Sequence, residues 1–177
     1  RHIAVNVRRA VIGLGSNLGE RIDWIDRAVS EIAGACEILA RAPIYETDPI
    51  VPAQPDYLNT AILVRTRAEA PMLLVELLAI ETRLGRVRNE RWGARTIDLD
   101  LLWMEGVALH EPGIEVPHPR LRERAFALVP LANVAPDARD RVAGSGSVQD
   151  PRGHLHQQLI TGGVPQAVVD ELEIVEV

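Results

Sequence analysis

The sequence has no lysine, a single cysteine and only six aromatic residues, and each scarcity removes a class of protein. Cys36 has no second cysteine to pair with, so an internal disulfide is excluded and a reducing compartment is expected. No apolar run approaches the ~20 residues of a membrane-spanning helix. The best candidate, Pro71 to Leu84, is interrupted by Glu76 and Glu81. The first residues, Arg1 to Asn6, lack a signal-peptide core and an initiator Met, which reads as a trimmed or processed protein of the cytoplasm. A formal net charge of −6 argues against general nucleic-acid binding.

What remains is the profile of a soluble globular protein: 177 residues, 47% hydrophobic and 25% charged. A chain of this length is expected to form one domain over 1–177, burying roughly 70% of its unfolded surface without a disulfide or structural metal. All 19 basic residues are arginine, and five of them, Arg83, Arg86, Arg88, Arg91 and Arg95, fall within thirteen positions. The clustering matters more than the residue type, although arginine's planar fork suits phosphate.

Local patterns give an element order. Arg9 to Gly15 reads as a first strand, followed by a glycine-rich turn, Gly13 to Gly19, and a helix from Glu20 to Ala33 ended by Gly34. Ile38 to Glu46 and Leu58 to Arg67 read as strands joined by a proline-rich loop. Pro71 opens a second helix that runs to about Leu84 and is capped by Gly85. The arginine-rich loop Arg86 to Arg95 then leads into a strand from Thr96 to Trp103. A short strand is expected near Val107 to His110, an extended segment from Val116 to Pro119, and helices at Leu121 to Leu131 and His154 to Thr161. The tail from Gly163 receives no role. The order β-α-β-β-α-β predicts an α+β fold, a ferredoxin-like split βαβ sandwich with a mainly antiparallel sheet and helices packed on it.

Chemistry concentrates in Arg95-Thr96-Ile97-Asp98-Leu99-Asp100-Leu101. Alternate side chains of a strand share a face, so Ile97, Leu99 and Leu101 point to the core while Asp98 and Asp100 stand together on the other side, roughly 7 Å apart at their backbones. Such a pair can hold magnesium, which prefers a few carboxylates plus substrate phosphate oxygens. Arg86, Arg88, Arg91 and Arg95 lie immediately upstream, giving the convergence of cations and metal that phosphoryl transfer needs. Pairing of these arginines with Glu81, Glu90 and the aspartates as a surface network is the plainer alternative. Tyr45, Tyr57, Trp92 and Phe126 sit in polar or loop-flanking segments, where stacking on a flat ring competes with ordinary packing. Trp24 and Trp103 read as structural. His118, held between two prolines, can donate to phosphate or accept from a neighbouring arginine. The segment Gly13 to Gly19 lacks a P-loop's Gly-Lys-Ser/Thr and reads as a structural turn.

Six ordered motifs between Ala10 and Pro136 resemble the 6-hydroxymethyl-7,8-dihydropterin pyrophosphokinases of folate biosynthesis. They are Gly13-Leu14-Gly15-Ser16-Asn17-Leu18-Gly19, Tyr45-Glu46-Thr47-Asp48-Pro49, Gln54-Pro55-Asp56-Tyr57-Leu58-Asn59, Gly85-Arg86-Val87-Arg88, Arg91 to Asp100, and Val116-Pro117-His118-Pro119-Arg120 leading to Arg124-Ala125-Phe126. The resemblance implies transfer of the terminal diphosphate of ATP to the hydroxymethyl group of a reduced pterin, with AMP released. It implies that Asp98 and Asp100 ligate two Mg2+ ions, that Arg86 and Arg95 close on the phosphates, and that His118, Arg124, Arg88 and Arg91 help to bind ATP. Tyr57 and Phe126 are implied as the two faces of a pterin sandwich closed by Trp92, with Asn59, Thr47 and Ile50 reading the ring. Ala94 stands where proline is common, leaving the loop less constrained. The implied partners are ATP and the pterin alone, with no nucleic acid and no membrane, acting on a monofunctional monomer. A metal-dependent glycosyl- or nucleotidyltransferase would use the same acid pair. An RNA-binding module would need exposed aromatics on the central strands instead.

Overall fold

The computed structural model describes residues 6–49, 53–86, 94–121, 125–134 and 173–175. The elements run β1 (Arg8–Ser16), α1 (Arg21–Ala35), β2 (Glu37–Arg41), β3 (Ile44–Thr47), β4 (Tyr57–Thr66), α2 (Ala70–Arg83), β5 (Asp98–Met104), β6 (Leu109–Glu111), β7 (Ile114–Val116), α3 (Ala125–Val134) and β8 (Glu173–Val175). The main sheet has the order β5-β1-β4-β3-β8, with β2 also paired to β4, and its pairings are antiparallel. Because β4 lies antiparallel to both β1 and β2, those two strands run parallel with β4 inserted between them. This is the expected split βαβ arrangement.

The alternation in β1 explains the two faces. Ala10, Ile12 and Leu14 join Ile62 and Val64 of β4 and Leu99 and Leu101 of β5 in a core sealed by Ile25, Ala28 and Ile32 of α1 and Leu73, Leu77 and Ile80 of α2. Val11, Ala61, Leu63, Leu102 and Trp103 occupy the opposite face, where Leu131 and Val134 of α3 pack on them. The helices α1 and α2 therefore belong to the first face, and α3 to the second. No helix among the described residues is long and apolar enough to cross a membrane.

Several boundaries differ from expectation for identifiable reasons. The expected strand Ile38 to Glu46 is split into β2 and β3 at Ala42-Pro43, since Pro43 has no N–H to give the ladder. Ala42 bridges the gap, donating to the Ala61 carbonyl at 2.9 Å and accepting from the Thr60 hydroxyl at 2.9 Å. Gly34 does not end α1, which continues to Ala35 and closes when the Cys36 N–H donates to the Ile32 carbonyl at 2.8 Å. The short strand near Val107 to His110 is β6, and Val116 belongs to β7, its partner across a turn with Gly113 at φ +86°. Leu121 forms a turn closed on the His118 carbonyl, and among the described residues α3 spans Ala125–Val134. The tail does have a place: β8 pairs with Ile44 to Glu46 of β3. The helix expected at His154 to Thr161 lies outside the described residues.

Candidate active site

The face of the sheet that α3 leaves partly open carries a cavity of about 120 Å³. Its floor is β1, which presents Gly13 and Gly15 there. Register builds the walls: Gly15 stands opposite Asn59 on one side and Asp98 on the other, and Gly13 stands opposite Ala61 and Asp100. Asn59 and Asp98 are therefore about 10 Å apart at their backbones, separated by a strand with no side chain between them. A Cβ on Gly15 would come within 3.1 Å of Asn59 Oδ1, and one on Gly13 within 3.1 Å of the Leu102 side chain. The glycines assigned to a structural turn are thus largely strand residues, and only the segment after Ser16 turns. Their spacing by two, in phase with a strand, was the signal for a bare floor.

The acid pair meets expectation. Leu99 and Leu101 are buried on the helix face while Asp98 and Asp100 line the cavity. Asp98 receives two guanidinium groups, Arg86 Nη1 on Oδ1 at 2.6 Å and Arg95 Nη1 on Oδ2 at 2.8 Å. Arg86 also pairs with Glu81, whose Oε1 accepts the Leu99 N–H at 2.8 Å. The arginine-carboxylate pairing weighed as a surface network exists, but at its centre Glu81 is 2% exposed. Burial lowers the Arg86 pKa, yet the charges of Asp98 and Glu81 outweigh it and hold the guanidinium above its ordinary value. From sequence Glu81 is a charge that interrupts an apolar run and a possible arginine partner; its place inside the apolar stripe of a helix was the signal of its burial.

Opposite the acids, Tyr57 of β4, Phe126 of α3, Thr47 at the end of β3, and Asp48 and Gln54 from the connecting loop also line the cavity. Asn59 Nδ2 donates to Thr47 Oγ1 at 2.7 Å, which orients its carboxamide. Tyr45 belongs elsewhere. It is buried, and its hydroxyl accepts from Asn133 of α3 at 2.7 Å, so it ties that helix to β3 and does not line the cavity. Trp103 is buried as expected, and Trp24 carries the Arg27 guanidinium 5.2 Å from its ring centre. His118 does not line the cavity. Its Nδ1 accepts the Arg120 N–H at 3.3 Å, so the neutral ring carries its proton on Nε2. Arg88, Arg91, Trp92, Ile50 and Arg124 lie outside the described residues.

The donor set fits magnesium. Two carboxylates on one strand face, short of a protein cage, are what a hard cation that keeps substrate phosphate oxygens requires. Among the described residues no group of three side chains capable of holding a metal occurs. The site can hold a flat, hydrogen-bonding ring on the Asn59 side and a polyanion on the Asp98 side.

Comparison with known proteins gives the family and the fold. The family model described as 7,8-dihydro-6-hydroxymethylpterin-pyrophosphokinase (HPPK) matches residues 11–136. A 2-amino-4-hydroxy-6-hydroxymethyldihydropteridine pyrophosphokinase of Methylorubrum extorquens is 42% identical over 150 residues, covering 83% of this chain and 93% of the relative. One from Synechocystis sp. is 40% identical over 142 residues, covering 79% of this chain and 73% of the relative. Among solved structures, wild-type Plasmodium falciparum HPPK-DHPS with pteroate aligns with a TM-score of 0.57 at 13% identity, over 75% of this chain. The chain spans 42% of that longer protein, and the likeness establishes the fold.

Proposed function

The chain belongs to the 7,8-dihydro-6-hydroxymethylpterin-pyrophosphokinase family and transfers pyrophosphate from ATP to 6-hydroxymethyl-7,8-dihydropterin in folate biosynthesis, and we propose which of its residues perform each part of that reaction. The observation that carries the assignment is the pair of aspartates facing Asn59 and Tyr57 across a glycine floor.

Asp98 and Asp100 would hold two Mg2+ ions, which would supply charge neutralisation on the transferred group. Arg86 and Arg95, released from Asp98 as phosphate enters, bind and stabilise the charge that develops on the diphosphate, since a preorganised donor is worth most where charge grows. His118, with its proton on Nε2, donates to the triphosphate, joined by Arg88, Arg91 and Arg124. On the other side Tyr57 and Phe126 enclose the pterin, Trp92 closes over it, and Asn59, Thr47 and Ile50 read its edge. The nucleophile is the substrate's own: the pterin's hydroxyl oxygen bonds to the β-phosphorus and gives up its proton to solvent, the bond from that phosphorus to the bridge oxygen of the α-phosphate breaks, and AMP leaves. Positioning two substrates in line is then most of the catalysis. The enzyme acts as a cytoplasmic monomer, an assembly state that sedimentation checks.

Incubation with ATP, Mg2+ and the reduced hydroxymethylpterin is expected to yield AMP and a diphosphorylated pterin, identified by mass. Asp98→Ala and Asp100→Ala are each expected to abolish turnover with the fold kept. ADP as product, or full activity in either variant, would sink the assignment.

A further inference from the structure

Asn17 ends at the corner where β1 meets the two segments that wall the cavity, and it is 1% exposed. Its carboxamide oxygen accepts the Arg95 backbone N–H at 2.8 Å, while its own backbone N–H donates to the Arg95 carbonyl at 3.2 Å. Its carboxamide nitrogen donates to the Pro55 carbonyl at 3.2 Å and to Gln54 Oε1 at 3.3 Å. One buried side chain thereby ties the end of the floor to the arginine that holds Asp98 and to the loop that carries Gln54 and leads into Tyr57.

Both attachments act on groups with little tolerance for drift. Arg95 reaches Asp98 across 2.8 Å, so the position of its backbone sets where its guanidinium can go. On the other side, Ala53 immediately precedes Gln54 and sits at φ +71°, a left-handed conformation that L residues adopt at a cost. A loop carrying that strain needs bonds beyond it to keep its shape, and the two donations from Asn17 supply them. The chemistry is specific to a carboxamide: an acceptor is required toward Arg95 and a donor toward Pro55, which neither a carboxylate nor a hydroxyl supplies at that reach.

We propose that Asn17 is a positioning residue with two separable arms, one fixing the pterin wall through Gln54-Pro55 and the other fixing Arg95. This rests on the pyrophosphokinase reading above. The two arms make different kinetic predictions, because the pterin wall governs binding and Arg95 governs the transition state.

The test is steady-state kinetics with both substrates on wild type, Asn17→Asp and Asn17→Ala, with a melting curve for each. Asn17→Asp keeps an oxygen for the Arg95 N–H but turns a second oxygen on the Pro55 carbonyl. It is expected to raise the pterin KM about tenfold, the scale of one lost buried hydrogen bond, with kcat changed less than about threefold. Asn17→Ala removes both side-chain arms, keeping only the backbone bond to the Arg95 carbonyl, and is expected to raise the pterin KM and lower kcat about tenfold each. Should Asn17→Ala fail to fold, Asn17→Asp decides alone, since a general structural defect moves kcat and KM together. Equal movement of both parameters in Asn17→Asp, or a folded Asn17→Ala with wild-type values, overturns the inference while leaving the pyrophosphokinase reading intact. A wild-type protein forming neither product overturns both.

Discussion

Glu81 shows how much a single side chain can decide. It is nearly out of contact with water, and each of its attachments is polar: the Leu99 N–H on β5 and the Arg86 guanidinium. Burying such a pair costs desolvation, so its presence is weak evidence of stability, whereas removing one partner leaves the other uncompensated. Glu81→Ala orphans the Leu99 N–H and leaves Arg86 with Asp98, and is expected to destabilise the fold by about 3 kcal/mol in urea denaturation. Glu81→Gln keeps an acceptor for Leu99 and should cost less. The Arg86 pKa is raised by its two carboxylates against the opposing effect of burial, so its part of the stabilisation is complete below the ordinary arginine value and fades only as pH climbs through the higher folded one. The penalty's Arg86 component should therefore be constant between pH 6 and 9. Equal stability of Glu81→Ala and wild type would show that the pair is an ornament of the fold. At this scale Asp98 and Asp100 were legible because period-two alternation on a strand assigns a face without knowledge of any partner. Glu81 and Asn17 were not, because what distinguishes them is contact with residues 18 and 78 positions away.

Helix ends carry the next level of specification. At the end of α2 the Gly85 N–H donates to the Thr82 carbonyl at 3.1 Å and the Arg86 N–H to the Glu81 carbonyl at 3.0 Å, with Gly85 at φ +76°. This is the paired closure of a Schellman motif. Its consequence is functional, since the same turn that closes the helix sets the Arg86 side chain beside Glu81 and within reach of Asp98. Gly34 offers the contrast. It lies inside α1, and a Cβ there, as at Gly85, would meet nothing within 4 Å. Gly34→Ala is expected to stabilise by up to about 1 kcal/mol through helix propensity. Gly85→Ala is expected to destabilise by about 1 kcal/mol through left-handed strain, and to lower kcat by displacing Arg86. Thermal melts with activity assays check both signs; stabilisation by Gly85→Ala would remove the cap argument. Sequence alone treated both glycines as helix stops. Only one is, because a glycine marks where a chain is free to turn left-handed, while the pull of Cys36 into the core as extended chain determines where α1 actually ends. The β-α-β-β-α-β order survived such errors since it depends on the existence of elements and not on their last residues.

At the scale of the whole molecule, the charges at the cavity describe an enzyme arranged to wait for its nucleotide. Both oxygens of Asp98 are engaged by guanidinium groups, and among the described residues no third metal-ligating side chain joins the acid pair. A divalent cation arriving alone must compete with two fixed positive charges and finds few ligands. A cation arriving on ATP brings phosphate oxygens for its own coordination and, at the same time, an anion to which Arg86 and Arg95 can transfer. Metal and nucleotide should consequently stabilise the protein as a unit. Millimolar Mg2+ alone is expected to leave the unfolding midpoint unchanged, and ATP with the metal chelated away should shift it only slightly. Mg2+ with a non-hydrolysable ATP analogue at a hundred times its dissociation constant should add about 2.7 kcal/mol, the linkage expected of a ligand that binds only the folded state. Asp100→Ala should lose most of that gain with a much smaller change in its ligand-free midpoint, because Asp100 is half-buried against the cavity and not in the helix-side core. A shift from Mg2+ alone as large as that from the complex would mean that the cation site is preformed, and that the two arginines do not guard it.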